Sequence, residues 1–183
     1  MGFYNDYFDL LSKKIKEIDH LLLEKSVNLI KETSAKKGKT IIVGNGGSAA
    51  MASHVAVDLT KNAGIRSINF NEADLLTCFS NDYGYEEWVR YALKSYADKG
   101  DTVILISSSG SSKNILNGGL EAKEMGLNLI TVSGFNPNNE LRKMGDINLF
   151  VDSKAYNIVE MTHHIWLLAI TDKIIGSIEY SAQ

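Results

Sequence analysis

The stretch "IIVGNGGSAAMASHVAVDL", Ile41 to Leu59, decides how the chain is read. An apolar run breaks into glycines, a serine follows, and a segment of helical spacing then carries His54 and Asp58. A strand passing through a glycine turn into a helix is the building unit of an α/β sheet. It is also where backbone N–H groups and the positive end of a helix can meet an anion.

Working outward, four more short apolar runs follow "TIIVG" at 40–44: "SINFN" at 67–71, "TVILIS" at 102–107, "NLITVS" at 128–133 and "INLFVD" at 147–152. Near-continuous Val/Ile/Leu runs suit strands buried on both faces. Helical spacing is expected over 48–62, about 84–98, 112–125, briefly near 138–144, and over 155–176. Residues 4–37 read as one long helix or two consecutive ones. The expected fold is a single three-layer αβα domain over 1–183 with a five-stranded parallel sheet, its α/β core and last helix over 38–183 preceded by an N-terminal helical segment over 1–37.

Composition narrows the function. A net charge of −3 gives no electrostatic reason to expect a nucleic-acid partner. No apolar run approaches the roughly 18 residues of a membrane span. The one cysteine, Cys78, excludes an intrachain disulfide, fits a reducing compartment and reads as a small buried side chain. These features together predict a soluble cytoplasmic protein.

Two strand ends carry unusual chemistry. After the first strand comes "GNGGS", with Asn45, Gly46, Gly47 and Ser48; after the third comes "SSSGSS", with Ser107, Ser108, Ser109 and Ser112. Hydroxyls and free backbone N–H groups at a helix start can hold a phosphate without a lysine. A tight turn or an N-cap explains either loop alone, but two such loops in one small sheet favour an anionic ligand. Gly44, Gly46 and Ala49 also fit G-x-G-x-x-A. However, no acidic residue ends the second strand at the expected spacing, so no nucleotide cofactor is expected.

These motifs resemble the sugar isomerase (SIS) domain family, and within it the phosphoheptose isomerases. "GNGGSAAMASH" looks like the family's first phosphosugar loop, "SSSGSS" is similar to its Ser-Thr-Ser-Gly-Asn-Ser phosphate loop, and "CFSNDYGYEEWVRY" at 78–91 resembles the segment between them. The resemblance implies enediol proton transfer between sedoheptulose 7-phosphate and a manno-heptose 7-phosphate. It also implies a homotetramer and, in some members, a bound Zn²⁺. Non-catalytic relatives that sense a phosphosugar or bind a protein, and enzymes acting on other phosphosugars, share the domain.

The chemistry needs a base for the carbon-bound proton and an acid for the carbonyl oxygen. His54 and Asp58 are four apart, on one helix face. The family carries Glu at the second position, and Asp58 reaches roughly 1.5 Å less. In the last helix, Glu160 matches a family glutamine and His163 a following histidine, which puts the family's catalytic histidine on Leu168. A rival register puts His164 there. The candidate metal set is His54, Asp58, Glu160 and His163. The candidate catalytic set is Asp58, Glu160 and His164, with either carboxylate as base. Asn81 and Asp82 are expected to meet sugar hydroxyls, with a structural turn as the alternative.

Overall fold

A computed structural model describes residues 2–181 of the chain. Thr40–Val43 (β1) is buried along its whole length, and its side chains alternate between two cores. Ile42 faces one core with Ile104, Ile106, Ile130 and Val132. Ile41 and Val43 face the other with Val103, Leu105 and Leu129. This period-two alternation of apolar residues on both faces requires helices above and below the sheet.

The remaining strands are Ser67–Ile68 (β2), Thr102–Ser107 (β3), Asn128–Gly134 (β4) and Ile147–Val151 (β5). All pairings are parallel, in the order β2-β1-β3-β4-β5. The winding direction therefore reverses between β1 and β3, whose carboxyl ends carry the two unusual loops. That reversal opens the crevice where ligands of open α/β sheets bind. The expected second strand shrinks to two residues because the Asn71 backbone N–H donates to Asn69 Oδ1 at 2.9 Å, turning the chain away.

Helices Phe3–Lys16 (α1) and His20–Ala35 (α2) resolve the N-terminal segment into two, with the Asp19 carboxylate accepting from Leu21 N at the break. Gly47–Lys61 (α3) and Tyr156–Ile175 (α7) lie with α2 over the first core. Trp88–Tyr96 (α5) and Lys113–Glu124 (α6) cover the second. A 3₁₀ turn, Leu141–Lys143, stands where a short helix was expected.

Ala73–Tyr83 (α4) was not expected as a helix. It has no fully buried residue and leans Leu75, Leu76 and Phe79, which recur at helical spacing, on the rim of the second core. Gly84, at φ +91°, ends it. Cys78 is exposed on this helix rather than buried as expected, and the nearby Asp82 carboxylate, with some burial, pushes its thiol pKa up.

The opposite end of the sheet is pinned by charge. Lys39 Nζ meets Asp101 Oδ2 at 2.6 Å and Asp98 Oδ2 at 2.7 Å, and Lys39 N donates to Asp101 Oδ1 at 2.8 Å. This ties the amino ends of β1 and β3 together and leaves their carboxyl ends to the loops.

Candidate active site

Gly46, at φ +54°, sets the sharp entry from β1 into α3 and offers no capping side chain. A carboxylate stands there instead. Glu160 of α7 lies so close that a Cβ on Gly47 would come within 2.6 Å of its Oε2. Only glycine at position 47 admits this approach, and a negative group beside a helix N-terminus is favourable.

The serine loop folds on itself. Ser107 Oγ lies 3.1 Å from Ser112 Oγ and 3.5 Å from Ser109 Oγ, and it accepts from Gly110 N at 3.2 Å. Ser111 N and Ser111 Oγ both donate to Ser109 Oγ. Ser112 is the N-cap residue of α6, yet its hydroxyl turns to Ser107 and makes no cap. The first amides of α6 thus keep their donors for a ligand. Ser108 is buried, its carbonyl accepts from Gly134 N, and its hydroxyl has no hydrogen-bond partner among the described residues.

Two residues that the sequence motifs did not single out join the loops. Asn114 of α6 exchanges hydrogen bonds with Asn45 at 3.0 and 2.8 Å, and the Tyr85 hydroxyl donates to Asn45 Oδ1 at 3.1 Å. Tyr85 sits just past "SND" in the very segment that raised Asn81 and Asp82. Those two occupy the last turn of α4, where Asn81 Nδ2 donates to Asp82 Oδ1, and neither hydrogen-bonds to either loop.

Along the α3–α7 seam the acid–base groups form a file. His54 Nε2 is 3.4 Å from Asp58 Oδ2, and His54 Nδ1 is 3.0 Å from His164 Nε2. Asn62 Nδ2 donates to Asp58 Oδ1 at 3.2 Å. Burial first, and then the neighbouring His54, push the His164 pKa down, with Asp58 opposing. His164 is therefore a neutral imidazole at pH 7, able to donate one N–H.

His163 is corrected. It is fully buried beneath α7, with Nε2 on the Ser133 carbonyl at 3.0 Å and its ring beside Trp166. A 100° step per residue turns it away from the stripe on which Glu160, His164 and Leu168 lie half-buried. The metal set expected from the sequence therefore does not converge. Among the described residues, no group of three or more His, Cys, Asp or Glu is placed to hold a metal ion.

Burial of His163 pushes its pKa down to about 4. Below pH 6.5 the unfolded chain takes up a proton that the folded one refuses until about pH 4. Its contribution to stability is complete above pH 6.5 and is lost as pH falls towards 4, by about 3 kcal/mol in all. Thermal melts across this window should show a falling midpoint that His163→Gln flattens. An equally steep fall in the variant would assign the effect to other groups.

The family model for the SIS domain matches residues 3–134, which takes in both N-terminal helices and ends before α7. The phosphoheptose isomerase of Helicobacter pylori (strain P12) is 32% identical over 172 residues, covering 91% of this chain and 88% of the relative. That of Sulfurimonas denitrificans is 36% identical over 148 residues, covering 75% of each. The solved phosphoheptose isomerase from Francisella tularensis superposes with a TM-score of 0.87 at 21% identity, covering 95% of this chain and 97% of that one. With these loops at its switch point and this match across most of its length, the chain belongs to the SIS domain family.

Proposed function

We propose that the chain isomerises a phosphosugar, converting sedoheptulose 7-phosphate to a manno-heptose 7-phosphate. The observation that carries the reading is the convergence, at one switch point, of an open serine loop, a glycine loop and a carboxylate set on the head of α3. The relatives named as phosphoheptose isomerases support the substrate.

The phosphate sits on Ser107, Ser108, Ser109 and Ser112 and the first amides of α6. The sugar lies along Asn45, Gly46, Gly47 and Ser48. Glu160 is the base. Asp58 lies 11 residues further along α3 than Gly47, about 16 Å down the helix, whereas the Glu160 carboxylate stands at the crevice itself. The resemblance carries Glu and Gln where this chain carries Asp58 and Glu160, so a shortened acid at one position accompanies a gained acid at the other. Glu160 takes the proton from the ketose C1, and the C2 carbonyl oxygen receives one from the His164 side to form the enediol. The C1 hydroxyl then returns a proton to the His164 side, the carbonyl forms at C1, and Glu160 returns its proton to C2. Asp58 orients His54, and His54 orients His164. Because the donors do not fit a Zn²⁺ site, no step is routed through a metal.

The test is to incubate protein, with and without added Zn²⁺, with sedoheptulose 7-phosphate and to follow aldose formation by NMR. Aldose formation supports the reading. Saturable binding without turnover would leave a phosphosugar sensor, and turnover of another phosphosugar only would change the substrate.

A homo-oligomer, with the tetramer implied by the resemblance, completes the reading. Helix α1 buries none of its residues, leaving Phe3 75% and Phe8 60% exposed, and α7 beside it exposes Met161 and Ile165. So much apolar surface on a short helix calls for cover by another copy. Phe3→Glu with Phe8→Glu should lower the mass seen by light scattering while the far-ultraviolet circular dichroism holds. An unchanged mass would place the interface elsewhere. Among the described residues no helix is long and apolar enough to cross a membrane. The exposed free thiol of Cys78 suits the reducing cytoplasm.

A further inference from the structure

Asn114 is 2% exposed, in the first turn of α6, two residues beyond the Ser112 hydroxyl of the serine loop. A buried primary amide needs partners, and Asn114 finds them across the crevice rather than within its own helix. Its Nδ2 donates to Asn45 Oδ1 at 2.8 Å, and its Oδ1 accepts from Asn45 Nδ2 at 3.0 Å. The Tyr85 hydroxyl adds a third bond, to the same Asn45 oxygen at 3.1 Å.

An asparagine amide has two lone pairs on oxygen and two N–H donors. Both lone pairs of Asn45 are taken, one by Asn114 and one by Tyr85, and so is one N–H. What remains is a single N–H. Asn45 therefore arrives at the sugar as a fixed donor, with no conformational search left to make. The clamp also reaches further than one side chain. Asn114 rides on the helix whose N-terminus follows the serine loop, while Asn45 belongs to the glycine loop, so the pair sets the spacing between the two halves of the site.

We propose that Asn114, assisted by Tyr85, is a positioning residue that holds Asn45 against the sugar at a fixed distance from the phosphate loop. This rests on the phosphosugar reading above. Asn114 touches no reacting atom and acts through Asn45 alone. Removing it should weaken sugar recognition and leave phosphate recognition intact.

The experiment is a double-mutant cycle on the full chain. Asn114→Ala should raise KM for sedoheptulose 7-phosphate about tenfold, the size expected for losing a net hydrogen bond or two, with kcat changed less. Tyr85→Phe, on an exposed side chain that the fold does not need, should raise it about threefold. In an Asn45→Ala background both effects should vanish, because the residue they act through is gone. Inorganic phosphate, titrated by thermal shift, should bind every variant within about twofold of the parent. Effects that persist undiminished beside Asn45→Ala, or a KM unmoved by both single variants, would overturn the proposal. A parent protein that binds sedoheptulose 7-phosphate without turning it over would fail the isomerase reading alone, and its Kd then replaces KM in the same cycle. Independently of any sugar, the Asn45 side-chain amide resonances should move in both single variants. Resonances that stay put would overturn the clamp whatever the enzyme does.

Discussion

Glu160→Gln should lower kcat on sedoheptulose 7-phosphate by about 10²–10⁴-fold, the range for loss of a positioned general base. The amide keeps the shape that fits beside Gly47 and removes only the basic oxygen. KM should change little, because the serine loop that holds the phosphate is untouched. Folding should suffer slightly, since a carboxylate at a helix N-terminus is worth up to about 1 kcal/mol. Asp58→Asn is the comparison. Asparagine still meets His54 and Asn62, so its loss should be smaller and should come from a less well-oriented His54–His164 pair. Steady-state rates by NMR with both variants check the order. A larger loss at Asp58 would hand the base to α3.

Gly110→Ala should raise KM for the sugar phosphate at least tenfold and lower the melting temperature. Two independent costs meet there. Gly110 sits at φ +65°, where an L-residue loses roughly 1–2 kcal/mol, and its missing Cβ is where the Asn139 side chain packs. Asn139 cannot retreat cheaply. It is buried, it donates to Ser133 Oγ, Gly134 O and Asn136 O, and it accepts from Arg142 N at 2.8 Å. Overpacking adds about 1–3 kcal/mol, and the serine loop is the softer party. Titration with inorganic phosphate separates the two outcomes. Weakened phosphate binding shows the loop has moved, and intact binding with a lower melting point shows that Asn139 has given way.

The sheet was legible because burial on both faces fills the strand interiors with Val, Ile and Leu, the polar exceptions being small hydroxyls such as Thr40, Thr102 and Thr131. "TVILIS" became β3 residue for residue, and "TIIVG" differed by one position. Helix α4 was missed although Leu75, Leu76, Phe79 and Tyr83 recur at helical spacing, because Asn81, Asp82 and Gly84 at its end also have the chemistry of a turn. The loops themselves were visible as residue types, but what joins them was not. Asn114 reads as an ordinary polar residue at a helix start, and its partner lies 69 residues away. The histidine pair shows the same limit more sharply. Adjacent residues on a helix differ by about 100° in direction, so the choice between His163 and His164 turned on which face α7 gives to β4. The nearby Ser133 carbonyl makes that choice, and no local pattern reveals it.

The two tryptophans have a practical consequence. Trp88 is wholly buried in the core under α5 and α6, whereas Trp166 lies in the core on the other side of the sheet. Trp166 Nε1 donates to the Ile15 carbonyl of α1 at 2.9 Å, which makes it the tether of a helix with no buried residue of its own. The chain thus carries one tryptophan in each of its two cores. Trp88→Phe leaves an emission that reports release of the N-terminal helix, and Trp166→Phe leaves one that reports the opposite core. Titrated with denaturant, the two single-tryptophan proteins would show whether the layers come apart in one transition or in succession.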